Sequence, residues 1–203
     1  ASRTLFTASG AIPGPGAVLA KVGSATTWSD TVGNLTGTLL AAAEGYLIGN
    51  VVALLLAALV LLVPRLEQVA TQMAIVTYCL PLVAIGPILV IVAGRDAPQG
   101  ASVVLAALSV FFTTVVGALL GFKAADAASL DVVAVYGGGR VAQLRKVRLV
   151  AALPAILNAL QIAVPAAFLG AVLGEFFGKV ESGVGLAMTL AMQNSDAPRL
   201  WAL

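Results

Sequence analysis

The chain has 203 residues, 60% hydrophobic and 10% charged, where soluble domains carry about 25% charged residues, and its mean hydropathy is +1.04. These values exclude an ordinary soluble domain and point to a protein embedded in a lipid bilayer. A formal net charge of +2 with clustered cations offers no basic face for nucleic acid; the absence of His and a single cysteine, Cys79, exclude a disulfide framework and a Cys/His metal site.

The opening stretch, ASRTLFTASGAIPGPG, lacks the apolar core of a signal peptide. The chain does not begin with Met and stops at DAPRLWAL, so both ends are expected to be shortened. From Trp28 through Val32 and Leu35 the pattern is amphipathic, as for a segment lying at the outer surface.

Four stretches have the ~20 mostly apolar residues needed to cross a bilayer. The first, Thr36–Val63, is interrupted by Glu44 and Asn50. The second, Val69–Gly94, the third, Ala97–Phe122, and the fourth, Leu149–Gly174, contain no charged residue. Pro81 and Pro87 interrupt the second span and Pro154 and Pro165 the fourth, so these helices need neighbours to satisfy freed backbone groups. Gly45 and Gly49, Gly117 and Gly121, and Gly170 and Gly174 have the spacing that lets helices approach closely in lipid. Cys79, alone in an apolar stretch, reads as a small buried hydrophobe. Leu186–Met192 is too short to cross.

Lysines and arginines set the orientation. Lys123, Arg140, Arg145, Lys146 and Arg148, between the third and fourth spans, and Arg65 in the first loop are expected inside. The loop from Arg95 to Pro98, the N-terminal stretch and the residues after Gly174 then lie outside.

The segment from Lys123 to Arg148 is the outlier. Leu130 and Val133 share one helical face before the glycines, and Val141, Leu144 and Val147 recur every third residue after them. Asp126 is placed to cap the first short helix, and Gly137, Gly138 and Gly139 give the freedom for a corner. The expected product is a helix, a turn and a second amphipathic helix standing out of the membrane, its apolar stripe covered either by a separate protein or by the bilayer surface. GGGR is no phosphate loop, since neither a following Lys-Ser/Thr nor a preceding strand is present.

The run DVVAVYGGGRVAQLRKVRLVAALP resembles the cytoplasmic EAA signature of binding-protein-dependent ABC importer permeases. Asp131 stands at the usual Glu, Gly137 at the signature Gly, and Ala152-Leu153-Pro154 at the closing apolar-Leu-Pro, while Val133 and Val150 stand where Ala and Pro are usual. TLLAAAEGYLIGN, LPLVAIGPILVIVAG, SGVGLAM and AIPGPGAV resemble further family segments in the same order. The resemblance implies an all-α polytopic membrane protein, the transmembrane domain of a type I ABC importer with a cytoplasmic coupling helix. It is closest to the branch handling nitrate, sulfonates, taurine or vitamin precursors, with most of a first helix and all of a last one missing.

It further implies a bacterial inner-membrane permease subunit, paired as a homodimer and working with an ABC ATPase subunit and an extracytoplasmic substrate-binding protein. The chain itself would be no enzyme, with ATP and Mg held by the ATPase. The coupling positions implied are Asp131, Gly137, Gly138, Gly139, Arg140, Val141, Leu144, Arg145 and Val147. Candidate pathway residues are the polar side chains Glu44, Asn50, Asn158, Gln161 and Glu175. An ion-coupled secondary transporter and a non-transporting scaffold are the alternatives.

Overall fold

The computed structural model describes residues 12–79, 82–93, 99–178 and 180–203, without the side chains of residues 25, 26, 64, 77–79 and 93. The environment expected for Cys79 and the loop from Arg95 to Pro98 fall outside these. Within the described residues every regular element is helical.

A short α1, Pro15–Val22, precedes α2, Ala25–Leu62. Helix α2 ends where Val63 leaves helical geometry before Pro64, as expected of a residue that precedes proline. A 3₁₀ turn, Pro64–Leu66, leads into α3, Glu67–Cys79. Next come α4, Leu82–Ala93, and α5, Gly100–Lys123. After α6, Ala127–Val135, a single rod, α7, runs from Arg140 to Phe177, with a π turn at Leu144–Arg148. Helices α8, Val184–Gln193, and α9, Ala197–Ala202, complete the chain.

Three of these helices are long and apolar enough to cross a membrane: α2 from Thr27, α5 and α7. Of the second expected span the described residues form α3 and α4; Leu80 and Pro81 lie outside the described residues. Helix α7 continues through Pro154 and Pro165, so these prolines do not break the fourth span.

The bundle is small inside and large outside. Ala53, Ala57, Ala118 and Ala152 are buried where α2, α5 and α7 meet, and Ala41, Ala106, Ala163, Ala167 and Ala171 form a second buried group. Leu40, Leu47, Val51, Leu55, Val164 and Leu169 lie outward with half or more of their surface exposed. In lipid a large aliphatic side chain loses nothing by facing outward, so helix association rests on backbone approach and dispersion rather than on hydrophobic burial.

All three glycine pairs are such approach points. A β-carbon on Gly45 would lie 2.5 Å from Ala106 Cβ and from the Val103 carbonyl oxygen, and one on Gly49 would lie 2.5 Å from the Ala107 carbonyl oxygen. Gly117 and Gly121 meet Ala159 and Ala155 of α7, while Gly170 and Gly174 face Ser109 and Ser102 of α5. Asn50 adds a polar tie: its amide nitrogen donates to the Tyr46 carbonyl at 2.8 Å, and its side-chain oxygen accepts from the Thr114 hydroxyl. Both Asn50 and Thr114 are buried, so this bond joins α2 to α5 in a dry interior.

Candidate functional site

The basic cluster gathers at one end of the bundle. Lys123 bonds Glu67, the Arg140 guanidinium donates to the Leu62 carbonyl at 3.2 Å, and Arg148 donates to the Phe122 carbonyl at 3.1 Å. Leu62 and Phe122 end or nearly end α2 and α5, where carbonyls lack helical partners and the helix dipole favours a cation. Two cations beside the glycines thus tie the start of α7 to its neighbours, while Arg145 and Lys146 are exposed.

Helix α6 stands out from this end. The Asp126 carboxylate accepts from the Ser129 amide at 3.1 Å, the expected N-cap. At the other end Gly137 has φ +77, the Gly138 amide donates to the Val133 carbonyl at 2.8 Å, and the Gly137 amide to that of Ala134 at 2.9 Å. This is a Schellman ending with Gly137 in the left-handed position. A β-carbon on Gly138 would lie 2.5 Å from Val133, whereas those on Gly137 and Gly139 would meet nothing. Gln143 closes the corner by donating to the Leu130 carbonyl at 3.2 Å.

The knob exposes apolar side chains. Val135 and Tyr136 are 84% and 88% exposed, and Val132 and Val141 are 56% and 57%. Asp131 is exposed beside them. The sequence does not mark Val135 and Tyr136 as outward-facing; their position just before the left-handed glycine is the available signal.

Two expectations are corrected here. The amphipathic helix after the glycines is not a separate element: Arg140–Gln143 and the π turn are the leading end of α7. Leu144 does not extend the outward stripe, being 9% exposed and packed with Val60, Ala74, Phe122 and Ala152 of its own chain. Val141 faces out, Leu144 in, and Val147 is half-buried, since each three-residue step moves about 60° round a helix.

The candidate pathway residues separate. Glu44, Asn158 and Gln161 are exposed on the bundle, and Asn158 lines a groove with Thr113 between α5 and α7. Asn50 is buried in the α2–α5 tie. Glu175, 2% exposed, sits at the end opposite the knob, where three consecutive amides at the start of α8 are met by side chains. The Gly183 amide donates to Asn34 Oδ1 at 3.1 Å, that of Val184 to the Thr38 hydroxyl at 2.9 Å, and that of Gly185 to Glu175 Oε2 at 2.9 Å. The Thr38 hydroxyl donates to the same Glu175 oxygen at 2.9 Å. A carboxylate at a helix N-terminus also complements the helix dipole. Gly183 has φ +149, and a β-carbon there would lie 2.4 Å from the Glu175 carboxyl carbon. Asn34 and Thr38 were missed as partners, although their four-residue spacing put them on one face of α2.

The sequence profile of the family described as binding-protein-dependent transport system inner membrane component matches residues 12–203. The chain belongs to that family. This inner membrane component is 32% identical over 165 residues, 81% of its length and 66% of the other's, to a probable ABC transporter permease protein of Haemophilus influenzae. It is 29% identical over 170 residues, 84% and 60% of the two chains, to a Bacillus subtilis protein that carries the name aliphatic sulfonates transport permease protein SsuC. Against the formylaminopyrimidine transport permease protein ThiX of Halalkalibacterium halodurans it is 27% identical over 169 residues, 83% and 66% of the two. The component therefore spans a little under two thirds of the length of these relatives. Family and apolar helices together make it a multi-pass protein of the inner membrane, all-α in fold.

Proposed function

We propose that this chain is the membrane-spanning permease subunit of an ATP-driven, binding-protein-dependent importer for a small polar solute of the sulfonate or pyrimidine-precursor kind, and that α6 with its glycine corner is the coupling helix received by a separate ABC ATPase. The observation that carries this reading is the knob itself: Val132, Val135, Tyr136 and Val141 are exposed at the end where the cations cluster, on a corner fixed by Gly137. Aromatic and aliphatic side chains on a braced protrusion suit insertion into a groove of a partner, and the exposed Arg145, Lys146 and Asp131 suit its polar rim. The relatives' names supply the solute classes.

Transport then follows from linkage. Closure of the ATPase pair on ATP and Mg favours one arrangement of the spans and docking of the loaded binding protein on the opposite face favours the same one, so the two ligands bias a single equilibrium. Hydrolysis belongs to the ATPase, and this chain moves rather than reacts. Asn158 and Gln161, amides exposed in mid-span, are costly against lipid and face a second copy or the passage between two copies.

Co-purification tests the reading. An ATPase subunit should remain with the detergent-solubilised protein and be released by Val135→Asp or Tyr136→Asp. Retention unchanged by both substitutions in a folded protein would overturn the coupling assignment. Reconstituted uptake should require ATP and a binding protein and should survive an uncoupler; loss of uptake at constant ATP would instead favour ion coupling.

A further inference from the structure

At the basic end α3 carries an outward-facing groove of about 610 Å³ lined by Arg65, Gln68, Val69, Gln72, Met73 and Val76. The other side of the helix is committed to the bundle, with Ala70 and Ala74 buried against α2 and α5. Arg65 stands at the groove's outer end with Gln68 and Gln72 following along one edge, and Val69, Met73 and Val76, all more than half exposed, line the other edge toward the middle of the bundle. From Arg65 to Val76 the rise is roughly 16 Å at ~1.5 Å per residue, close to half the ~30 Å hydrocarbon thickness of a bilayer.

Charge decides what fits. Glu67, the nearest acidic residue in sequence, is bonded to Lys123, and none of the ion pairs among the described residues includes Arg65. A dissolved anion would use the arginine and the two amides but gain nothing from the apolar wall. A neutral hydrocarbon would use only the wall. We infer that the groove binds one anionic phospholipid, its phosphate held by Arg65, Gln68 and Gln72 and one acyl chain lying along Val69, Met73 and Val76. This site goes beyond the transport reading and does not depend on the ATPase.

The test uses the purified protein in a neutral detergent, titrated with dioleoyl phosphatidylglycerol, with phosphatidylcholine of the same chains and with glycerol phosphate, and read by native mass spectrometry and thermal shift. Phosphatidylglycerol should bind about fivefold more tightly than phosphatidylcholine, the effect of one basic residue near an anionic headgroup. Glycerol phosphate should give no shift. Arg65→Gln should bring the lipid ratio close to one, Arg65→Lys should keep most of it, and Val69→Ser with Val76→Ser should weaken both lipids alike. Equal binding of the two lipids, selectivity that survives Arg65→Gln, or an equal shift from glycerol phosphate would overturn the proposal. So would efficient disulfide cross-linking between copies carrying Gln68→Cys in a Cys79→Ser background, which would mean that a second copy covers this face.

Discussion

The Thr38 hydroxyl and the Glu175 carboxylate meet at 2.9 Å across the interior, joining the first long helix to the last one at the end far from the knob. Both residues are buried, at 0% and 2% exposure. The threonine oxygen also accepts the Val184 amide, so one hydroxyl connects α2, α7 and the start of α8.

Thr38→Val keeps the shape but removes this bridge, leaving the carboxylate with one fewer donor and the Val184 amide with none. A hydrogen bond to a charged group contributes about 1.5–3 kcal/mol, so the variant should lose stability of that order. Thr38→Ser should restore most of it. Denaturant unfolding in micelles checks both; a Thr38→Val protein as stable as the parent would refute the bridge.

Glycines at the helix crossings should tolerate nothing larger, and glycines in open positions should tolerate alanine. A β-carbon on Gly174 would lie 2.3 Å from Ser102 Cα, a backbone contact that cannot rotate away, whereas one on Gly33 within α2 meets nothing. Gly174→Val should therefore cost about 1–3 kcal/mol or more and reduce the yield of folded protein. Gly33→Ala should stabilise by about 0.5–1 kcal/mol. Size-exclusion monodispersity and melting temperature separate the two outcomes.

At the corner, folding and partner binding should come apart. Leu144→Asp places a charge among buried side chains and should destabilise the protein with or without a partner. Val141→Asp alters an exposed position, so the isolated protein should melt as the parent does while ATPase retention falls. Gly137→Ala, forced into a left-handed conformation, should cost about 1–2 kcal/mol through the corner alone, since nothing stands within 4 Å of the added carbon.

Acid should loosen the far end. Lys21 bonds Asp196 at 2.7 Å and holds its carboxyl below the usual carboxylate range, aided by the Arg199 amide. A carboxyl depressed by folding contributes stability above its unfolded value and loses it as pH falls through the folded one. Lys21→Met should remove that contribution where it is present, at neutral pH, and converge on the parent in acid, so that the acid limb of the stability–pH profile flattens. An unaltered acid limb would show that the pair contributes nothing.

The long helices were legible because apolar runs with few charges have few alternatives in lipid, and the glycine pairs were legible because small residues at four-residue spacing are what close crossings require. Asp126 and Gly137 were likewise readable as start and stop signals. Leu144 was not, because a strict period of three drifts about 60° per step round a helix, so Val141, Leu144 and Val147 do not share one face. The roles of Asn50 and Glu175 were not readable either: a polar residue in an apolar run shows that it needs company, but its partners, Thr114 and Thr38, lie 64 and 137 residues away. Val135 and Tyr136 were hidden for the opposite reason, since apolar side chains in a hydrophobic chain give no sign that they face outward.

The wide turn from Leu144 to Arg148 also fixes an azimuth. Wound as α-helix, the same five residues would take up about one further residue's step, ~100° of rotation, and everything ahead of them would swing round the rod axis relative to Ala152. Arg140 would leave the end of α2, and Leu144 would no longer point into its hollow of alanines. The bearing of the protruding corner is thus set inside the rod, by one turn of looser winding, as much as by the three glycines that make the bend.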